Sequence, residues 1–398
     1  MNASPIHKRE EEPTTVAPRP PLVRVDWMLL LATLGLIVCS LVTIGDATRD
    51  DVPGSPHYYL DRQLLFAGIG LILMFAVSRI DYSRLRELKY GLYATMIASI
   101  LLVLALGAAS RGSRRSFDLA FLNFQPSELG KLLLVLALSA FVVDRIRRLR
   151  DRDTTARTML LALIPSVLVI VQPDLGSGMV YVVIAVAVLF VAGTSWKHFA
   201  VLGATFAVAI TLALAVAPAV GVQVLQPYQV QRLTGFLNPS SNPRDQTYQL
   251  NQSRIAIGAG EKTGRGVSGA TQTKLNFLPE HHTDFVFAVV GETYGFLGAA
   301  IVLALYALLI WRSLRILTLA KNLYGALIAG GIVAMLMFQV FVNVGMTVGI
   351  MPITGVPLPL MSYGGSSVIV TLLALGILQS VSGEARMASA FKGRALNL

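Results

Sequence analysis

Glu128 and Lys131 lie three residues apart at the start of an apolar run, the spacing that puts an acid and a base on one helical face. Asp174 sits in Gln172-Pro173-Asp174-Leu175-Gly176-Ser177-Gly178, between two further apolar runs. Asp284 closes the string Glu280-His281-His282-Thr283-Asp284 at the head of another run, and Glu292 follows eight residues further in. Arg111, Arg114 and Arg115 precede the first pair. A charge in or near hydrocarbon costs a few kcal/mol on insertion scales, so it needs a partner or a task. Carboxylates so placed can accept a proton from a hydroxyl, and cations beside them can neutralise an anionic leaving group. A single interfacial ion pair would be worth little. Four separate regions mixing acids and bases favour an active or binding site.

Other signals are weaker. Gly264-Arg265-Gly266-Val267-Ser268-Gly269 matches the dinucleotide fingerprint literally but follows no strand and opens no βαβ unit, so it is rejected. His281, His282 and Asp284 contain metal-ligand types, yet adjacent histidines cannot easily face one ion from a helix start. Asn251-Gln252-Ser253 is a chance glycosylation sequon. There is no nucleotide-binding P-loop and no Ser-His-Asp order, so ATP-driven transport and hydrolase chemistry lack support.

The elements that must position these groups are membrane helices. Of 398 residues, 54% are hydrophobic and only 14% charged, about half the charged share of a soluble domain. The apolar runs, ten in all, fall at about 27–44, 63–78, 90–109, 127–143, 158–172, 175–193, 199–220, 284–310, 323–343 and 356–381. Runs of roughly 18 residues span a bilayer, and the need to satisfy every backbone group in lipid leaves helices as the reading. The first run is too long for a signal-peptide core and lacks a small-residue cleavage site. The expected fold is therefore an all-α integral membrane protein: a disordered tail over 1–26, a ten-helix membrane domain over 27–383, and a second tail over 384–398. Its loop 221–283, with Tyr228, Phe236, Tyr248, Ile255, Ile257 and Phe277, is too long for a plain connection and is expected to fold onto the membrane face. Pro165 and the 171–178 turn interrupt spans five and six, a mark of substrate sites.

Orientation follows from the positive-inside rule. With both termini cytoplasmic, 21 of 33 Lys and Arg lie inside, and so do 10 of 22 Asp and Glu. The whole net charge of +11 then belongs to the inner face, so it is a topology signal and no nucleic-acid surface is implied. Every ionisable group singled out above falls at the outer end of a span or in an outer loop. Cys39, the one cysteine, excludes an internal disulfide or a cysteine metal cluster.

The strings FQPSELGKL (124–132), QPDLGSG (172–178), QSRIAIGAG (252–260), NFLPEHHTDFVFAVVGE (276–292) and PITGVPLPLMSYGGSS (352–367) resemble the SEDS family of shape, elongation, division and sporulation proteins, from span one to span ten. TQTKLNFLPE and the ITGVPLP stretch are closer to its RodA branch than to its FtsW branch. The resemblance implies a SEDS-type fold and a glycosyltransferase that polymerises lipid II into peptidoglycan strands at the outer face of the bacterial cytoplasmic (inner) membrane during elongation. It implies a class B penicillin-binding protein and other elongation-complex proteins as partners, lipid II and nascent lipid-linked glycan as ligands, and no nucleotide. Asp284, Glu128, Lys131 and Asp174 match the family's catalytic positions. Arg115, Gln252, Arg254, Glu280, His282, Glu292 and Ser362 fall at candidate substrate-binding positions. Ser116 stands where the family has Trp after the arginine, and Gly291-Glu292-Thr293-Tyr294-Gly295 keeps only the first acid of the family's GEELG.

Polymerisation inverts an α-linked donor, which needs a base for the acceptor hydroxyl and neutralisation of the leaving pyrophosphate. The resemblance gives the first role to Asp284 and the second to Lys131 and Arg115. Glu128 is expected to orient Lys131, and Asp174 to hold Arg115 or a divalent cation (Mg or Mn), for which Asp284 is another candidate ligand. Competing readings are a lipid II flippase, a division-type polymerase, and a scaffold that only recruits the crosslinking partner.

Overall fold

A computed structural model describes residues 25–110, 113–119, 122–149, 151–212, 246–275 and 277–395. Its apolar helices are α1 (Trp27–Ala47), α2 (Tyr58–Ser78), α3 (Lys89–Leu106), α4 (Pro126–Val143), α5 (Arg152–Val171), α6 (Leu175–Val191) and α7 (Trp196–Thr211), then, after α8 (Gln246–Ala259), α9 (Val286–Leu319), α10 (Leu323–Val348) and α11 (Gly365–Ala395). Each expected apolar run thus contributes a helix. Eight of these helices are long and apolar enough to cross a membrane, while α6 and α7 are apolar but shorter. Leu31, Ile72, Leu106, Trp196, Phe206 and Ile301 are more than half exposed on the outside of the bundle, a surface that suits lipid rather than water.

The centre is α4, α10 and α11, buried over most of their length, with the other helices around them. Helix packing in a bilayer rests on close approach of small residues. A methyl added at Gly376 would come within 2.6 Å of the Met74 carbonyl oxygen, so α11 meets α2 backbone to backbone.

Three elements depart from the sequence reading. Between α3 and α4 lies a small antiparallel sheet, β1 (Ala108–Ser110), β2 (Ser113–Leu119) and β3 (Leu122–Phe124), where a plain connection was expected. The tenth run was expected to be helical from 356, but helix begins only at Gly365. Pro352, Pro357 and Pro359 lack backbone donors, and Gly355 adopts φ +73, so 350–364 stays irregular. Such backbone is tolerated at a membrane end where it lines a cavity and its polar groups find partners. Here they do: Asn343 Nδ2 donates to Val356 O (2.8 Å), Ser40 Oγ to Met361 O (2.9 Å), Tyr306 Oη to Pro359 O (2.5 Å), and Tyr363 N to His282 O (2.8 Å). Third, α11 runs on through 384–395, residues expected to form a tail.

The expected 1–26 tail falls outside the described residues as far as 24, but Asp26 is 1% exposed and caps α1. Its carboxylate accepts from Leu29 N (3.2 Å), Arg312 of α9 (2.6 Å), Arg386 of α11 (2.7 Å) and Ser382 (3.2 Å), knotting three helix ends together. Burial works against its charge, but the bonds from Arg312 and the Leu29 N–H prevail and hold its pKa below the ordinary 3.8. Its contribution to stability is therefore complete above that value and drains as pH falls toward the lower folded one. Asp26→Asn leaves two guanidinium groups short of a partner and is expected to cost about 2 kcal/mol at neutral pH. The check is thermal melting in detergent across pH 3–7, where the difference from wild type shrinks at the acid end.

Candidate active site

The helices that carry the predicted acids begin side by side. Pro126 opens α4 in its first turn, followed by Glu128, and Asp174 caps α6 by accepting from Ser177 N (3.0 Å). The two Gln-Pro strings are joined, since Gln125 Nε2 donates to Asp174 Oδ2 (3.0 Å) and Tyr181 Oη of α6 donates to Ser127 O (3.0 Å). Gly130 permits the approach, because a methyl there would lie 2.0 Å from Tyr181 Oη. Glu128 and Lys131 are an enclosed pair, 4% and 1% exposed, with Nζ 2.7 Å from Oε1.

Asp284 arrives from the other direction, in the turn before α9. Glu280, at φ +57, accepts backbone bonds from Thr283, Asp284 and Phe285 at 3.1–3.3 Å, and Thr283 Oγ1 donates to Glu280 Oε2 (2.9 Å). The buried amide of Asn343 reaches Asp284 O (3.0 Å) and Val356 O (2.8 Å), tying this turn to the irregular segment before α11. Ser362 completes the clamp, donating to Thr283 O (2.5 Å) and accepting from Leu358 N (2.8 Å).

These pieces enclose a cavity of about 520 Å³ lined by Glu128, Asp174, Glu280 and Asp284, with Arg62, Gln125, Ser177 and Gln249. Thr354, Gly355, Tyr363 and Ser366 are also in its wall. A methyl at Gly355 would sit 3.6 Å from Asp284 Oδ2, so that carboxylate lies against bare backbone. Four carboxylates from three regions of the chain, with one arginine among the described lining residues, face one space.

A family model described as "Cell cycle protein", covering FtsW, RodA and SpoVE, matches residues 23–387. The chain belongs to the FtsW/RodA/SpoVE family. It is 37% identical to the peptidoglycan glycosyltransferase MrdB of Escherichia coli K12, over 92% of this chain and 96% of that one. It is 36% identical to stage V sporulation protein E of Bacillus subtilis, over 94% of this chain and all of that one. Among solved structures, a chain from work on the coordination of polymerization and crosslinking by a peptidoglycan synthase complex matches with TM-score 0.76 and 34% identity, covering 91% of this chain and 98% of its own. Thermus thermophilus RodA matches with TM-score 0.66 and 32% identity, covering 91% of this chain and 98% of its own.

Within this family member the remaining predicted residues divide. Lys131 stands behind Glu128 and is not in the cavity wall. His282 stacks with Tyr59 (ring centroids 4.6 Å apart) and Tyr363 (5.7 Å), and His281 pairs with Asp51 (3.2 Å), so the two histidines gather with Asp51 rather than with Asp284. Gln252 and Arg254 are on α8 outside the wall, Arg254 lying along Gly349, whereas Gln249 one turn earlier is inside it. Arg115 falls on β2 with its side chain outside the described residues, as does all of Arg111. Arg62, Gln249 and Asn343 were not singled out from sequence. A search for every polar side chain within the runs, amides included, finds Gln63 and Asn343.

Glu292 has a structural engagement. Its carboxylate accepts from Gln272 N (2.8 Å), Thr273 N (3.1 Å) and Thr273 Oγ1 (2.7 Å), stitching the segment after α8 to α9. Three residues on, α9 breaks at Gly295 (φ +66, ψ −159), and the freed N–H groups of Phe296 and Leu297 donate to Glu261 O (2.9 Å) and Lys262 O (3.1 Å). Glu292→Gln offers one acceptor where two backbone donors converge. We expect a loss of about 2 kcal/mol and faster protease nicking between 246 and 275, with the KM for lipid substrate unchanged. A raised KM at unchanged stability would make Glu292 a substrate contact.

Proposed function

We propose that this family member is a peptidoglycan glycosyltransferase that polymerises lipid II. The observation that carries the reading is the carboxylate-lined cavity at one end of the membrane helices, in a chain related over nearly its full length to peptidoglycan glycosyltransferases. We place the cavity at the outer face of the inner membrane, with both termini cytoplasmic, a placement that the charge distribution supports.

In this reading Asp284 accepts the proton of the attacking sugar hydroxyl, and its position is held by Asn343 and the Glu280 turn. Arg62 stands in the wall as a neutraliser of pyrophosphate charge, while Lys131 acts through Glu128 by fixing that carboxylate. The oxygen-rich wall suits a hard divalent cation, with Asp284 and Asp174 the residues to hold it. Such an ion would supply further charge neutralisation at the pyrophosphate. The match to a chain from a synthase complex supports a class B penicillin-binding partner that crosslinks the product.

The competing flippase needs ionisable groups along a path through the bilayer. Glu292, the acid furthest into a span, is committed to loop backbone, which favours the polymerase. The deciding experiment supplies labelled lipid II to the purified protein with its partner and runs a parallel liposome assay for lipid crossing. Glycan chains without crossing are expected; crossing without glycan would replace this reading with the flippase.

A further inference from the structure

At the far end of α6 from Asp174 the chain turns through Gly193 (φ +84), Thr194 and Ser195 into α7. The two ends of this 17-residue helix are about 25 Å apart, so this turn and the candidate active site occupy opposite faces of the bundle. A second and larger cavity, about 760 Å³, opens here between Arg152, Phe190, Gly193, Thr194, Ser195, Trp196, Lys197 and His198. Neither the proposed polymerase chemistry nor the family motifs make use of it.

We propose that this cavity binds the phosphate headgroup of an anionic phospholipid. Its lining holds Arg152, Lys197 and His198 and no acid among the described residues. The neighbouring Asp151 and Asp153 are outside the lining, Asp153 being paired with Arg157 (2.9 Å). Ser195 is the N-cap of α7 but makes no side-chain cap bond, so the α7 N-terminus presents backbone donors and a positive dipole end at the cavity.

The second, independent observation is Thr194. It is 7% exposed, lines the cavity, and its Oγ1 has no hydrogen-bond partner among the described residues. A buried hydroxyl without a partner costs free energy, and a phosphate oxygen would satisfy it. His198 is positioned by Thr155, with Oγ1 2.7 Å from Nδ1.

What selects a lipid over a free phosphate is the apolar half of the wall. Trp196 and Phe190 are 75% and 57% exposed and pack edge to face with each other and with Phe199 (ring centroids 5.8–6.3 Å). An aromatic cluster at the end of apolar helices matches the headgroup level of a bilayer, with the acyl chains running down beside it. Cations beside it then face the headgroup phosphate.

The test uses Trp196 as reporter in full-length protein carrying Trp27→Phe and Trp311→Phe, both replaced residues being exposed. Quenching by tail-brominated phosphatidylglycerol is compared with quenching by tail-brominated phosphatidylcholine in mixed vesicles. A preference of about three- to ten-fold for phosphatidylglycerol is expected, reduced by salt and abolished in Arg152→Gln/Lys197→Gln. Thr194→Val should weaken the preference without lowering Tm, because it removes an orphan hydroxyl. Equal quenching by both lipids, or a preference unchanged in the double variant, overturns the proposal. Loss of the preference on adding millimolar inorganic phosphate at constant ionic strength overturns the lipid assignment and leaves a free-phosphate site.

Discussion

Asp284→Asn is expected to remove glycan polymerisation by a factor of about 10² to 10⁴ while leaving the protein folded. The amide has the carboxylate's size, and the backbone carbonyl that Asn343 holds is untouched, so the Glu280 turn and the cavity wall keep their shape. What is lost is the capacity to take a proton. In barrier terms the loss is about 2.7–5.5 kcal/mol at the chemical step. It should therefore appear in kcat, with the KM for lipid II within a few-fold of wild type and Tm unchanged. Asp284→Glu keeps the group but advances it by one methylene toward the cavity, so an intermediate rate is expected from misplacement of a competent base. Polymerisation of labelled lipid II in proteoliposomes, followed by chain-length analysis on gels, checks all three forms. An Asn variant within ten-fold of wild type would assign the base elsewhere, with Glu280 and Asp174 the next candidates in the same wall.

How much of this was legible in the chain depends on what kind of signal each residue leaves. Apolar runs are a one-dimensional signal, and they located the apolar helices of the described residues and the acids at their ends. Glu128, Asp174 and Asp284 were found because a charge at a membrane boundary is anomalous on its own, without knowledge of neighbours, while Glu280 came from the family resemblance. Arg62 was missed for the complementary reason: an arginine near the start of a helix looks like an ordinary interfacial residue until the fold brings it to the opposite wall. Gln249 and Gln252 differ by three positions on one helix, and only packing decides that the first faces the cavity. Glu292 was singled out by its depth in an apolar run, and what that signal does not carry is the loop it holds, Gln272 and Thr273, whose fold no periodicity announces. The 356–364 segment shows the same limit, since its hydropathy suits a span while its prolines and Gly355 hold it out of helix.

The Glu128–Lys131 pair separates structural from chemical need. Both side chains are nearly enclosed, and an ion pair with so little water strands its survivor when one partner is removed. Lys131→Met preserves the length and apolar stem of the side chain and is expected to destabilise by about 3–5 kcal/mol, because Glu128 must then protonate or drag water inward. Adding Glu128→Gln removes the stranded charge, so the double variant should recover most of the lost Tm. Polymerisation should not return with it. Glu128 is in the cavity wall and Lys131 is not, so the lysine's part in the reaction is to hold an ionised carboxylate at a fixed position facing the substrate. Glu128→Gln alone leaves Lys131 unpaired and should be the least stable after Lys131→Met. Melting curves and single-turnover polymerisation on the four proteins form a double-mutant cycle. Recovery of stability without recovery of rate is the expected signature. A double variant that regains both would reduce the pair to a helix fastener.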